Sequence, residues 1–157
     1  MARKQFSKSA ILFISLFSAF WVYTAVELYN NKVNSQLEVF VGDWKNDSTL
    51  ESWSQLNDKT FEGFMFVGDQ EDTIYYESLK ITKMKDDYFY FAYTPQHPMP
   101  IPFKLDMNQH LIDNQIFNFK NPNHDFPKFI KYQFNKDSLY VIIGDSSKTV
   151  KFEFKKY

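Results

Sequence analysis

The chain has 157 residues, which gives room for one domain with its own apolar core. Its 18 Lys and Arg against 19 Asp and Glu give a net charge of −1, which removes the electrostatic case for a nucleic-acid partner. The absence of cysteine excludes disulfides, thiolate catalysis, cysteine-ligated metal or iron–sulfur centres, and a lipidated-cysteine anchor.

Arg3, Lys4 and Lys8 precede Ser9–Val26, a run without a single charge, and Glu27 is the first acid. A basic head before an apolar run is the pattern of an export signal, its basic end retained in the cytoplasm. The run exceeds a usual secretory apolar core and sits at the lower edge of the length that spans a bilayer. Small residues do not fall at both −3 and −1 of a cleavage site: Ala25 has Tyr23 two before it, and Ala19 has Phe17. Residues 1–35 are therefore expected to be an uncleaved membrane anchor with a short polar linker. The alternative is a cleaved signal peptide. Both place residues 36–157 on the extracytoplasmic, periplasmic side.

From Leu37 onward, 18 Phe, 10 Tyr and 3 Trp in the whole chain, against 4 Gly, favour pleated, half-buried surfaces. Alternating apolar and polar residues predict strands at Leu50–Leu56, Thr60–Val67, Thr73–Thr82, Tyr88–Thr94, Ile101–Asp106, Leu111–Lys120, Lys128–Phe134, Leu139–Ile143 and Val150–Lys155. In the last of these Val150, Phe152 and Phe154 face one way, and Lys151, Glu153 and Lys155 the other. Thr94–Pro102 holds four of the six prolines and reads as a stiff loop, since each proline removes a ladder donor. The connections are short, so neighbouring strands are antiparallel. A long meander leaves two open edges unless it closes. The expected fold is all-β: an antiparallel up-and-down barrel of about eight to ten strands after one N-terminal hydrophobic helix. A β-sandwich would need long Greek-key connections that the spacing does not show.

Gly42-Asp43-Trp44 has the Gly-x-Trp spacing that opens lipocalin-like barrels. It is followed by Glu51-Ser52-Trp53, Phe61-Glu62-Gly63, Glu77, and then Phe119-Lys120-Asn121-Pro122-Asn123-His124-Asp125-Phe126-Pro127 with Ile130 and Tyr132. This order resembles the bacterial family called domain of unknown function 6265, a lipocalin-like or calycin barrel. The resemblance covers about Leu37 to Tyr157, and His-Asp-Phe-Pro is its specific core. Lys120 stands where members carry an acid, and Met65-Phe66-Val67 where they often have a glycine-rich strand. The resemblance implies a barrel closed at one end by Trp44, with Gly42, Trp44, Asn121, Pro122, Asp125, Phe126 and Pro127 as framework. It implies no reaction, because the family has no established activity.

Period-two geometry puts Glu51 on the face of Trp53, and Glu77 on the face of Tyr75, Leu79 and Ile81. A carboxylate beside such groups costs several kcal/mol unless hydrogen-bonded, paired or protonated. Glu51, Trp53, Glu77, His124 and Tyr132 are the expected ligand contacts. A one-residue register error would turn either glutamate outward. In the His124–Asp125 loop, Asp125 is expected to cap backbone donors and His124 to bond another loop or close the barrel mouth. No nucleophile motif accompanies the pair, and no catalytic residue is assigned. His97, His110 and His124 are the only histidines and none has a paired spacing, so neither metal nor cofactor is expected.

The leading expectation is an exported module that binds a small hydrophobic molecule, touching the membrane through its N-terminal segment. No protein partner can be deduced. Two other functions compete: an enzyme using Glu51, Glu77 and His124 as acid/base groups, and an envelope protein whose barrel its own aromatics fill.

Overall fold

The computed structural model describes residues 21–28, 32–33, 35–68, 74–108 and 115–157. The chain divides into two units, residues 1–36 and 37–157. In the first, residues 21–28 are helical. No described helix is long and apolar enough to cross a membrane, and most of the expected anchor, Ser9–Val26, lies outside the described residues.

The second unit is a closed antiparallel barrel of ten strands in sequential order, with the first and last strands paired. The strands are β1 (Gly42–Lys45), β2 (Thr49–Asn57), β3 (Thr60–Val67), β4 (Ile74–Met84), β5 (Asp87–Tyr93), β6 (Phe103–Leu105), β7 (Ile116–Lys120), β8 (Phe129–Asn135), β9 (Ser138–Gly144) and β10 (Thr149–Lys156). The inner face follows the alternation: Trp53, Phe61, Leu79, Ile81, Tyr88, Tyr90, Phe103, Leu105, Phe117, Phe119, Ile130, Tyr132, Phe134, Leu139, Val141 and Phe154 are all buried.

Two local features escape the alternation. Gly42-Asp43-Trp44, expected just before the first strand, is itself strand β1; it pairs with β2 from Gly42↔Trp53 to Lys45↔Leu50. Gly42 has φ +126°, which a side-chain-bearing residue adopts only under strain. The second feature is a bulge where Met65 pairs with Glu77 but Phe66 pairs with Tyr75, leaving Tyr76 extra. The expected sharing of a face by Tyr75 and Glu77 is therefore overturned. Tyr75 turns outward with Phe66, their rings 6.2 Å apart, while Glu77 keeps the inner face.

Alternation of the connections puts the segments 46–48, 94–102, 121–128 and 145–148 at one end of the barrel. At the other end the 3-10 helix Glu38–Phe40 precedes β1. Phe40 enters the interior there, its ring 4.8–5.2 Å from those of Phe134, Tyr132, Phe117 and Trp53. Trp44 donates its indole N–H to the Phe40 carbonyl at 2.9 Å and packs edge-on against Phe134. That end is closed by aromatic packing.

Candidate binding site

Just above Phe40 the interior changes character. On β2, Glu51 and Trp53 point inward two residues apart, and Trp53 donates its indole N–H to Glu51 Oε2 at 3.0 Å. The indole lies flat on β3 because Gly63, directly opposite, has no side chain; a Cβ there would sit 2.7 Å from the ring. From β8, across the interior, the Tyr132 hydroxyl donates to Glu51 Oε2 at 3.3 Å and Oε1 at 3.5 Å. Tyr90 on β5 extends the chain, with 3.4 Å between its hydroxyl and that of Tyr132. Tyr132 spends its proton on Glu51, so Tyr90 is the donor in that contact.

Glu77 joins from β4. Glu51, Met65 and Glu77 form one row across β2, β3 and β4, so both carboxyl groups face the same space. Glu51 is 3% exposed, and among the described residues no Lys, Arg or His pairs with either glutamate. Burial pushes the Glu51 pKa up to about 7; the Trp53 bond opposes this, Glu77 adds to it, and the Tyr132 bond opposes it more weakly. Burial likewise pushes Glu77 up to about 7. The two acids therefore titrate together near neutrality. Tyr90 and Tyr132 are held well above the ordinary tyrosine value, chiefly by burial and then by the glutamate charges. Both stay protonated donors.

One inner-face residue of β10 is reached by solvent. Phe152 shares the inner face of β10 with Phe154 and stands directly opposite Val141, which is 5% exposed. Phe152 itself is 37% exposed. The ladder between β1 and β10 holds only Trp44↔Lys156 and Lys45↔Lys155, so nothing from β1 covers Phe152.

Of the expected contacts, Glu51, Trp53, Glu77 and Tyr132 come together. His124 does not join them. It lies in the loop between β7 and β8, its ring 5.0 Å from Phe103, with a buried Nδ1 that has no hydrogen-bond partner among the described residues. The capping role expected of Asp125 belongs instead to Asn121. Asn121 Oδ1 accepts the Asn123 N–H at 3.1 Å, and its Nδ2 donates to the Pro102 carbonyl at 3.0 Å, tying the loop to its neighbour. The Asn121 backbone donates to Lys128 at 2.8 Å and accepts from His124 at 3.1 Å. Asp125 is exposed and makes no side-chain hydrogen bond among the described residues. Asn121 wins because it is the last buried position before the turn, where its amide reaches both backbones. Pro122, Phe126 and Pro127 complete the loop, with a cis peptide between the last two.

Tyr90 was not among the expected contacts. Its place in Tyr88-Phe89-Tyr90-Phe91 marks it as a wall residue; the signal was the hydroxyl, which needs a partner once buried. His110 lies outside the described residues, and no group of three metal-ligating side chains occurs among the described ones. No family model, no curated protein and no solved structure matches the chain.

Proposed function

We propose that the barrel binds a small, largely apolar molecule in its interior, from the end that carries the segments 94–102 and 121–128. One observation carries this reading. An inward-facing phenylalanine, Phe152, is reached by solvent although its ladder partner Val141 and its neighbour on the same face, Phe154, are buried. Apolar walls with a few fixed polar groups are how small-molecule pockets are built. A barrel filled by its own side chains would cover Phe152 as it covers Phe154.

The test is Trp53 emission of the full chain, titrated with a fatty acid, a retinoid, haem and an isoprenoid alcohol. At least one should shift the spectrum of the wild type, and the shift should be lost in Trp53→Phe. No response to any probe would favour a filled barrel. The sequence resemblance to domain of unknown function 6265 supports the barrel on which this reading rests, and the basic head before an uncharged run supports a location outside the cytoplasm on a membrane tether. A reporter fused after Tyr157 should be active outside the cytoplasm. Activity inside it would reverse that placement.

A further inference from the structure

We infer that the half of β10 nearest the segment 145–148 is a docking edge for a second copy of this chain. The two β10 strands pair antiparallel about a two-fold axis at Phe152.

The edge follows from where β1 stops. Asn46 Oδ1 accepts the N–H groups of Ser48 and Thr49, at 3.1 and 2.8 Å, and so turns the chain onto β2 after the four residues of β1. Residues 149–154 of β10 therefore pair with β9 alone. The bonds that bracket that ladder fix the backbone direction. Asp145 donates its N–H to the Lys148 carbonyl, and Lys156 donates to the Asp137 carbonyl, both at 2.9 Å. Even-numbered residues of β10 thus turn their N–H and C=O groups to β9. Tyr157, odd-numbered, donates the other way, to Asp43 of β1. Lys151 and Glu153 accordingly aim their backbone groups across the seam, where no backbone bond from a described residue reaches them. Such an edge is a template for another strand. It is open on both faces: Lys151 and Glu153 are exposed outside, and Phe152 is 37% exposed inside although its ladder partner Val141 is buried. An open groove of about 550 Å³ adjoins it, with Lys45 and Asp47 on one bank and Glu153 and Lys155 on the other.

Charge and register select the occupant. An antiparallel copy centred on Phe152 sets Lys151 opposite Glu153 of the second copy, and Glu153 opposite its Lys151. Both members of each pair carry free backbone groups, so these are hydrogen-bonded pairs that exchange two N–H···O bonds apiece. The two Phe152 residues form the closer, non-hydrogen-bonded pair between them, an aromatic cross-strand contact. A slip of one residue would set free groups against groups already turned to β9. A slip of two would set Glu153 against Glu153 or Lys151 against Lys151, which is repulsive. Lys155 already pairs with Lys45, so the edge ends there. Neither charge is withheld: Glu153 meets Lys155 at 3.5 Å and Lys151 lies over the Tyr140 ring, both at the exposed surface. A foreign strand would need the same basic–apolar–acidic order that this chain itself supplies. The pairing concerns the wall and needs no ligand in the interior.

The chain has no cysteine, so Phe152→Cys allows one disulfide between copies and no other. Non-hydrogen-bonded partners have Cα atoms about 4.5 Å apart, within the span of a disulfide. The full chain in detergent micelles should therefore cross-link to a dimer through Phe152→Cys under mild oxidation. Lys151→Cys, two residues out of step with its own counterpart, should not. Sedimentation equilibrium of the cysteine-free chain should show the dimer directly. Lys151→Glu and Glu153→Lys should each weaken it about ten-fold. The double variant exchanges the charges and should restore it, which separates a lost contact from a lost fold. Equal cross-linking by the two cysteine variants, or a dimer indifferent to both charge reversals, overturns the inference. Monomers at every concentration overturn it as well, and leave the edge to a strand of another protein or to solvent.

Discussion

Glu51 is the residue on which the interior turns, and its energetics have a definite sign. Its pKa rises from 4.5 unfolded to about 7 folded. Between those values the folded chain holds a proton that the unfolded chain has released. Stability is therefore full below pH 4.5, falls as pH rises, and levels off above 7, by on the order of 3 kcal/mol. Glu51→Gln should reduce that slope, Glu77 keeping its own share, and leave the variant more stable than wild type at pH 8, read from urea midpoints at pH 5 and pH 8. An unchanged slope would mean that Glu51 is ionised throughout. In the loop between β7 and β8 the expectation is a contrast. Asn121→Ala removes a cap and a tie to Pro102, and should cost about 0.5–2 kcal/mol. Asp125→Ala, at an exposed position, should stay within about 0.5 kcal/mol of wild type. Equal denaturant midpoints for the two would remove Asn121 from that role. The sequence placed Glu51 correctly on the inner face because alternation in β2 is unbroken from Thr49 to Gln55. It pointed to the wrong cap because Asn and Asp are both good turn acceptors; only the burial of Asn121 separates them.

At the scale of elements, β3 and β4 shape the site through one missing side chain and one extra residue. Gly63 lets the Trp53 indole lie on the backbone of β3. Gly63→Ala would place a methyl carbon 2.7 Å from two indole atoms, so the ring must move and with it the bond to Glu51. The expected cost is about 1–3 kcal/mol of stability, with a shift in Trp emission, measured by denaturant unfolding and fluorescence. Unaltered emission would show that the ring has slack that the packing does not suggest. The bulge at Tyr76 turns Tyr75 outward, while Glu77 keeps the inner face that its alternation with Leu79 and Ile81 gives it. Nothing in a period-two reading announces such an insertion, which is why Tyr75 was placed on the wrong face. Strand β1 was missed for a related reason: four residues beginning at a glycine of positive φ are too few for alternation to show. The long strands β2, β3, β8, β9 and β10 were legible because each alternates over seven residues or more.

The barrel as a whole is held unevenly. β8 and β9 share seven residue pairs, from Phe129↔Gly144 to Asn135↔Ser138, whereas closure between β1 and β10 rests on two. The Tyr157 N–H bond to Asp43 at 2.9 Å extends that closure by one hydrogen bond. Short ladders open with little loss of buried area, so amides there exchange through local opening instead of global unfolding. The seam shares a residue with the closed end: Trp44 pairs with Lys156 and also donates its indole N–H to the Phe40 carbonyl. Native-state hydrogen exchange should show the Tyr157 amide exchanging about ten-fold or more faster than those of Tyr132 and Val141. Equal protection of Tyr157 and Val141 in the free protein would mean that two pairs close the barrel as firmly as seven, and would leave the loop end as the sole route to the interior.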